Sequence, residues 1–167
     1  YIRYSNSLVL KIMSIGASPF AMQVAGSVVG ILMNQSLSTY GGSLAIGAYA
    51  AINSVVTLFF MPIFGMNQGL QPIIGFNYGA KNFRRVREAL NVGLISATAV
   101  CVVGFLFVQI MPEVFINFIS KDPEIRTMGV EGIKRFMLMM PVIGTQIISA
   151  NFFQAIGKAR LAIFLSL

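Results

Sequence analysis

The side chains that could do chemistry in this sequence are few, and inside its apolar stretches they are all neutral. Gln23, Ser27 and Asn34 recur at helical spacing in one stretch, and Asn53 and Thr57 in the next. Gln68 and Gln71 mark that second stretch's far end, and Thr145, Gln146, Ser149 and Asn151 occupy a later one. Amides and hydroxyls of this kind recognise a ligand or a neighbouring helix by hydrogen bonds; they supply neither a general acid nor an activated nucleophile. The sequence has no histidine and one cysteine, Cys101. A zinc site of the usual ligand count, an intrachain disulfide and a Ser-His-Asp or Cys-His constellation are therefore all excluded within this chain. No catalytic residue, metal ligand or cofactor is assigned, and an enzyme is not expected.

The elements that carry these residues follow from composition. Of 167 residues, 56% are hydrophobic and 10% charged, against about 25% charged in an ordinary soluble domain. Mean hydropathy is +0.80. Residues 12–80 contain no Asp, Glu, Lys or Arg, whereas one bilayer-spanning helix needs only ~20 apolar residues. The chain reads as an integral membrane protein of the all-α class, a polytopic transmembrane helix bundle. Charges and turn residues divide it into four spans, at about 15–39, 44–75, 89–112 and 130–157, with a fifth beginning near 161. Tyr40-Gly41-Gly42-Ser43 is the expected first turn. Pro19 falls in the opening turns of the first expected span, and Pro62, Gly65, Gly69 and Pro72 predict a kink or unwound end in the second. Tyr1 in place of Met, and an apolar segment opening at 161–167, make the sequence read as a piece of a longer membrane protein.

Charge sets the expected orientation. Arg3 and Lys11 precede the first span, Lys81, Arg84, Arg85, Arg87 and Glu88 follow the second, and Lys158 and Arg160 follow the fourth. These clusters carry +2, +3 and +2, the whole net charge of +7, and all fall on one side of a four-span bundle. The long connection from 113 to 135 is neutral, with four acids and four bases. The positive-inside rule assigns the basic clusters 3–11, 81–87 and 158–160 to the cytoplasm, in a cell (inner) membrane protein. A basic loop one turn beyond a span points to lipid and topology, not to nucleic acid. In the neutral connection, apolar residues 114–119 read as an interfacial segment, and Asp122-Pro123 as a helix cap and first helical residue.

Two roles fit the neutral polar residues. Each taken singly fits an interhelical hydrogen bond, worth about 0.6 kcal/mol in a bundle. As a set, three polar stripes fit the lining of a solvated cavity, because they have few other ways to avoid lipid. The candidate lining is Gln23, Asn34, Asn53, Thr57, Gln146 and Ser149. Met and Phe side chains in and beside the spans add adaptable apolar surface.

Residues 61–81, MPIFGMNQGLQPIIGFNYGAK, carry a further signal. Gly65, Gln68 to Pro72, and Gly75 through Asn77-Tyr78-Gly79-Ala80, followed by basic residues and Arg84, resemble the second-helix-to-loop motif of the multidrug and toxic compound extrusion (MATE) family, in its carboxy-terminal lobe. The FFQAIGK stretch at 152–158 is similar to the end of that family's tenth helix. The resemblance implies that the spans are helices 7–10 of a twelve-helix transporter. It further implies export of cationic or amphipathic small organic substrates in exchange for Na⁺ or H⁺, by alternating access of two lobes. Partners would be the lipid bilayer, those substrates and a missing amino-terminal lobe. Some family members couple ions through acids on helices seven and ten; here those helices carry Gln23, Ser27, Thr145 and Gln146 instead, so the coupling site is expected outside this sequence. A lipid-linked oligosaccharide flippase of the same superfamily would want Arg in its cavity, and the spans have none. A non-transporting membrane scaffold is compatible with the same composition.

Overall fold

Backbone amides inside a bilayer must bond within their own segment, so apolar sequence of this length has helix as its local solution. The computed structural model describes residues 6–166, and Arg3 and the Lys11 side chain of the first basic cluster lie outside the described residues. Helix α1 is Asn6–Gly79, α2 Phe83–Ile110, α3 Pro112–Ile119 and α4 Pro123–Phe136. A 3₁₀ turn at Met137–Met139 leads into α5, Met140–Ala155, and α6 is Ala159–Ser166. Among the described residues three stretches are long and apolar enough to cross a membrane: Pro19–Gly79, Phe83–Ile110 and Pro123–Ala155. The first, at 61 residues, would measure about 90 Å if straight, three times the hydrocarbon thickness. It is broken at Gly42, whose φ of 63° and ψ of −161° are open to glycine and hardly to any other residue. The break falls inside the expected Tyr40–Ser43 turn.

The prolines behave differently from the sequence expectation. Pro19, Pro62 and Pro72 all lie inside α1, and Gly42 is its one non-helical position. Pro19 is well past the first turn, because the helix has begun by Asn6; Pro72 does not end the second segment, which runs on to Gly79. Each proline costs about 3 kcal/mol, while unwinding in hydrocarbon would strand several backbone groups at several kcal/mol apiece, so the helix persists. Helix α2 likewise starts at Phe83, ahead of the charge-free core, because Asn82 caps it by accepting from the Arg85 amide at 3.4 Å. Pro112 opens α3 instead of closing the span before it. Asp122 caps α4 as its sequence predicts, accepting from the amides of Glu124 and Ile125, with Pro123 in the first turn.

Two helix ends close in the same way. At the end of α1 the Asn82 amide donates to the Asn77 carbonyl (2.9 Å) and Lys81 to Tyr78 (3.0 Å). At the end of α5 Lys158 donates to Phe153 (2.8 Å) and Gly157 to Gln154 (3.0 Å). Both are Schellman corners, with Lys81 (φ 59°) and Gly157 (φ 77°) in the left-handed position. Gly75 approaches the Ala155 carbonyl, so the two corners and their basic residues share one end of the bundle. At the opposite end Gly47 abuts Ile125, and Gln109 Nε2 donates to the Lys134 carbonyl at 2.9 Å.

The core sits where small residues on α2 admit its neighbours. Gly93, Ala97, Cys101, Gly104 and Val108 are the buried face of that helix. Leu70 and Ile148 fill the space over Gly93, and Phe59 and Met140 the space over Gly104. Against Ala97 and Cys101 sits Gly144 of α5, close enough for backbone to meet backbone.

Candidate functional site

Downstream of Gly42, α1 packs one face and leaves the other uncovered. Ile52, Val55, Ile63 and Ile74 are buried on the packed side, joined by Phe59 and Leu70. Asn53, Thr57, Gln68 and Gln71 are all exposed. At about 100° per residue these four fall within a sector of about 60°, together with Phe64. No residue from Asn53 to Gln71 leaves helical φ/ψ, Pro62 included, so the four fall along one face of the helix. That length is about 27 Å at 1.5 Å per residue, close to the full hydrocarbon thickness. Thr57 Oγ1 is satisfied within its own helix, donating to the Asn53 carbonyl at 2.8 Å. The side-chain amides of Asn53, Gln68 and Gln71 have no hydrogen-bond partner among the described residues. Exposed Met61 and Phe64 lie beside them as apolar surface.

The remaining candidates divide between two surroundings. Gln23 and Asn34 are exposed on the α1 segment before Gly42, and Ser27 Oγ donates to the Gln23 carbonyl at 2.8 Å. Gln146 spends its amide on packing: Nε2 donates to the Leu165 carbonyl of α6 at 3.0 Å. Ser149 is half-buried on α5. The structure thus joins Asn53 and Thr57 to Gln68 and Gln71. Among the described residues it does not bring them into contact with Gln23, Asn34, Gln146 or Ser149.

The motif residues have distinct jobs. Asn77 Nδ2 donates to the Ile73 carbonyl at 2.8 Å, and the Ala80 amide to that of Phe76 at 3.0 Å, holding the last turn of α1. Arg84 faces Glu88 across one turn at 3.7 Å, an exposed pair of small energetic weight. Gly75 meets the Ala155 carbonyl, but Gly65, Gly69 and Gly79 have open space where a Cβ would stand. Gly69 instead opens a shallow cavity of about 200 Å³ between α1 and α2, lined also by Met66, Ile73 and Val92.

One residue of this region was missed by sequence reasoning. Asn67 is buried, and its Nδ2 has no hydrogen-bond partner among the described residues. It lines a cleft between α1 and α5 with Gln71 and Asn151, too narrow to hold a water. Asn151 Nδ2 is already committed to the Ile147 carbonyl at 2.9 Å. The i, i+4 spacing of Asn67 and Gln71 is the signal that could have singled it out. Its phase, one position off the exposed stripe, is what hides it.

Three comparisons bear on this arrangement. The MatE family model matches residues 19–167. The multidrug export protein MepA of Staphylococcus haemolyticus is 25% identical over 163 residues, covering 98% of this chain and 36% of that protein. The MepA of Staphylococcus aureus strain N315 is 23% identical over the same shares of the two chains. Among solved structures, the MATE multidrug transporter DinF-BH superposes with a TM-score of 0.83 at 28% identity, over 99% of this chain and 38% of that one. The chain spans little more than a third of the length of the relatives it matches.

Proposed function

Because the chain belongs to the MatE family, we propose that the full-length protein is a secondary active multidrug exporter, moving cationic or amphipathic organic compounds against Na⁺ or H⁺ by alternating access. The observation that carries this reading is the uncovered stripe of Asn53, Thr57, Gln68 and Gln71. Unpartnered amides over the whole hydrocarbon thickness cost several kcal/mol each against lipid, so the stripe is turned toward a solvated pathway. Neutral amides beside Met and Phe bind varied cations without fixing one of them, which suits broad selectivity. Residues 12–80, 89–112 and 136–157 contain no carboxylate, so coupling is assigned to the lobe this sequence does not include. Reconstituted in proteoliposomes with an imposed Na⁺ or H⁺ gradient, the full-length protein should accumulate a fluorescent organic cation only while a gradient is present. Failure with both gradients, over a panel of organic cations, would overturn the proposal.

The orientation belongs to the same reading. The corners at 81–87 and 158–160 share one end, and that end carries six Lys and Arg against one acid, Glu88. Lys and Arg resist translocation, which places this end in the cytoplasm of a cell-membrane protein. Single cysteines at Asn82 and Asp122, in a Cys101→Ala background, should label from opposite sides of intact cells, Asn82 only after permeabilisation. Labelling of both from the same side would exclude this topology.

A further inference from the structure

We propose that the groove between α3 and α4 holds the headgroup of a zwitterionic phospholipid bearing a primary ammonium. The inference depends on the chain spanning a membrane, not on what the protein exports. The short α3 has three faces. Ile116 is buried against Gly129 of α4, 3.2 Å from where a Cβ would stand. Val114 and Phe118, 57% and 88% exposed, point away from the bundle. Glu113 and Asn117, one turn apart, open instead onto a cavity of about 370 Å³, whose far wall is Pro123, Arg126, Thr127 and Val130. That volume lies within the ~300–1,000 Å³ range of small-ligand sites.

The chemistry of this cavity is its two opposite charges that do not meet. Among the described residues the ion pairs are Arg84 with Glu88 and Arg135 with Glu131. Glu113 and Arg126 form none, although they line one cavity, and neither they nor Asn117 has a hydrogen-bond partner there. Thr127 Oγ1 donates to the Pro123 carbonyl at 3.0 Å and keeps lone pairs free. A carboxylate and a guanidinium held apart across a groove are complementary to a ligand carrying both an N–H cation and a phosphate. Phosphatidylethanolamine has both. Phosphatidylglycerol offers only the anion and would meet Glu113, and phosphatidylcholine has no N–H to give. The groove lies at the bundle end opposite the basic corners. The neighbouring Val114 and Phe118 supply a surface along which acyl chains can lie, which favours a lipid over a soluble zwitterion.

Native mass spectrometry of the purified full-length protein, with equimolar phosphatidylethanolamine, phosphatidylglycerol and phosphatidylcholine of identical chains, tests this. The ethanolamine lipid should be retained over the other two by about threefold, the size of one exposed ion pair. Glu113→Gln should abolish the preference, and Arg126→Gln should lower retention of all three. Both side chains bond nothing among the described residues, so the variants should keep the wild-type thermal midpoint. Equal retention of the three lipids by the wild type, or a preference that survives both substitutions, overturns the proposal. A third arm separates lipid from free headgroup. Phe118→Ser should weaken lipid retention. If it does not, while millimolar aminoethyl phosphate displaces the lipid, the groove takes a soluble zwitterion and the lipid assignment fails.

Discussion

Replacing Gly144 with valine should leave little folded protein to extract from the membrane. A Cβ at this position would stand 2.8 Å from Cys101 Sγ, 3.0 Å from the Ala97 carbonyl oxygen and 3.2 Å from the Ala97 carbonyl carbon. The sulfur could turn aside, but the carbonyl belongs to the α2 backbone and moves only if the whole helix moves. Ala97 and Cys101 are fully buried at this contact, and Met140 and Ile148 pack on either side of it along α5. Even Gly144→Ala should therefore cost about 1–3 kcal/mol, the usual range for overpacking, and the branched valine more. Cys101→Ala should relieve the sulfur contact and recover only part of the alanine loss, because the carbonyl contact remains. Gly65→Ala is the matched control. Among the described residues nothing lies within 4 Å of a Cβ built there, so its effect should stay within about 0.5 kcal/mol. The amount of extractable protein reads Gly144→Val, and thermal midpoints of the purified full-length protein read every variant that can be extracted. An unchanged midpoint for Gly144→Val would mean that α2 and α5 do not approach here.

The helical membrane class, the basic ends and several local signals were legible in the sequence, because each is a property of composition or of neighbouring residues. Asp122 before Pro123 is a cap wherever it stands, and Gly41-Gly42 announces a break because a positive φ excludes most other residues. The Gly144 contact was not legible. A glycine advertises closeness without naming its partner, and Ala97 is 47 residues away. The unwound end expected near Pro72 is absent for a different reason: a proline's penalty is local and easily counted, whereas the cost of unwinding depends on the surrounding lipid.

The expected break also kept four polar residues of that helix apart. With a kink expected around Pro62, Asn53 and Thr57 belonged to one face, and Gln68 and Gln71 only to the helix's inner end. The uninterrupted helix makes them one stripe. Gln146, read with the cavity candidates, donates to the Leu165 carbonyl on α6, a bond between helices. Neutral amides serve both purposes, and only geometry separates them.

The stripe carries the second large prediction. Asn53→Leu and Gln68→Leu, combined, should change which compounds the full-length protein exports while leaving its amount and thermal midpoint near wild type. Neither side chain bonds anything in the described fold, so folding loses nothing; a polar cation in the pathway loses a hydrogen bond at each position. At about 1 kcal/mol per bond, export of a small polar cation should fall about thirtyfold relative to a large apolar one. Gln146→Leu should act otherwise, cutting the α5–α6 bond and lowering protein amount and all transport together. The decisive measurement is the ratio of initial export rates for two such cations in proteoliposomes, taken at equal protein amount. A ratio shifted by the Asn53→Leu, Gln68→Leu pair and unmoved by Gln146→Leu is the predicted result. A ratio unchanged by the pair, whatever happens to total activity, would contradict the assignment of this stripe to the transport pathway.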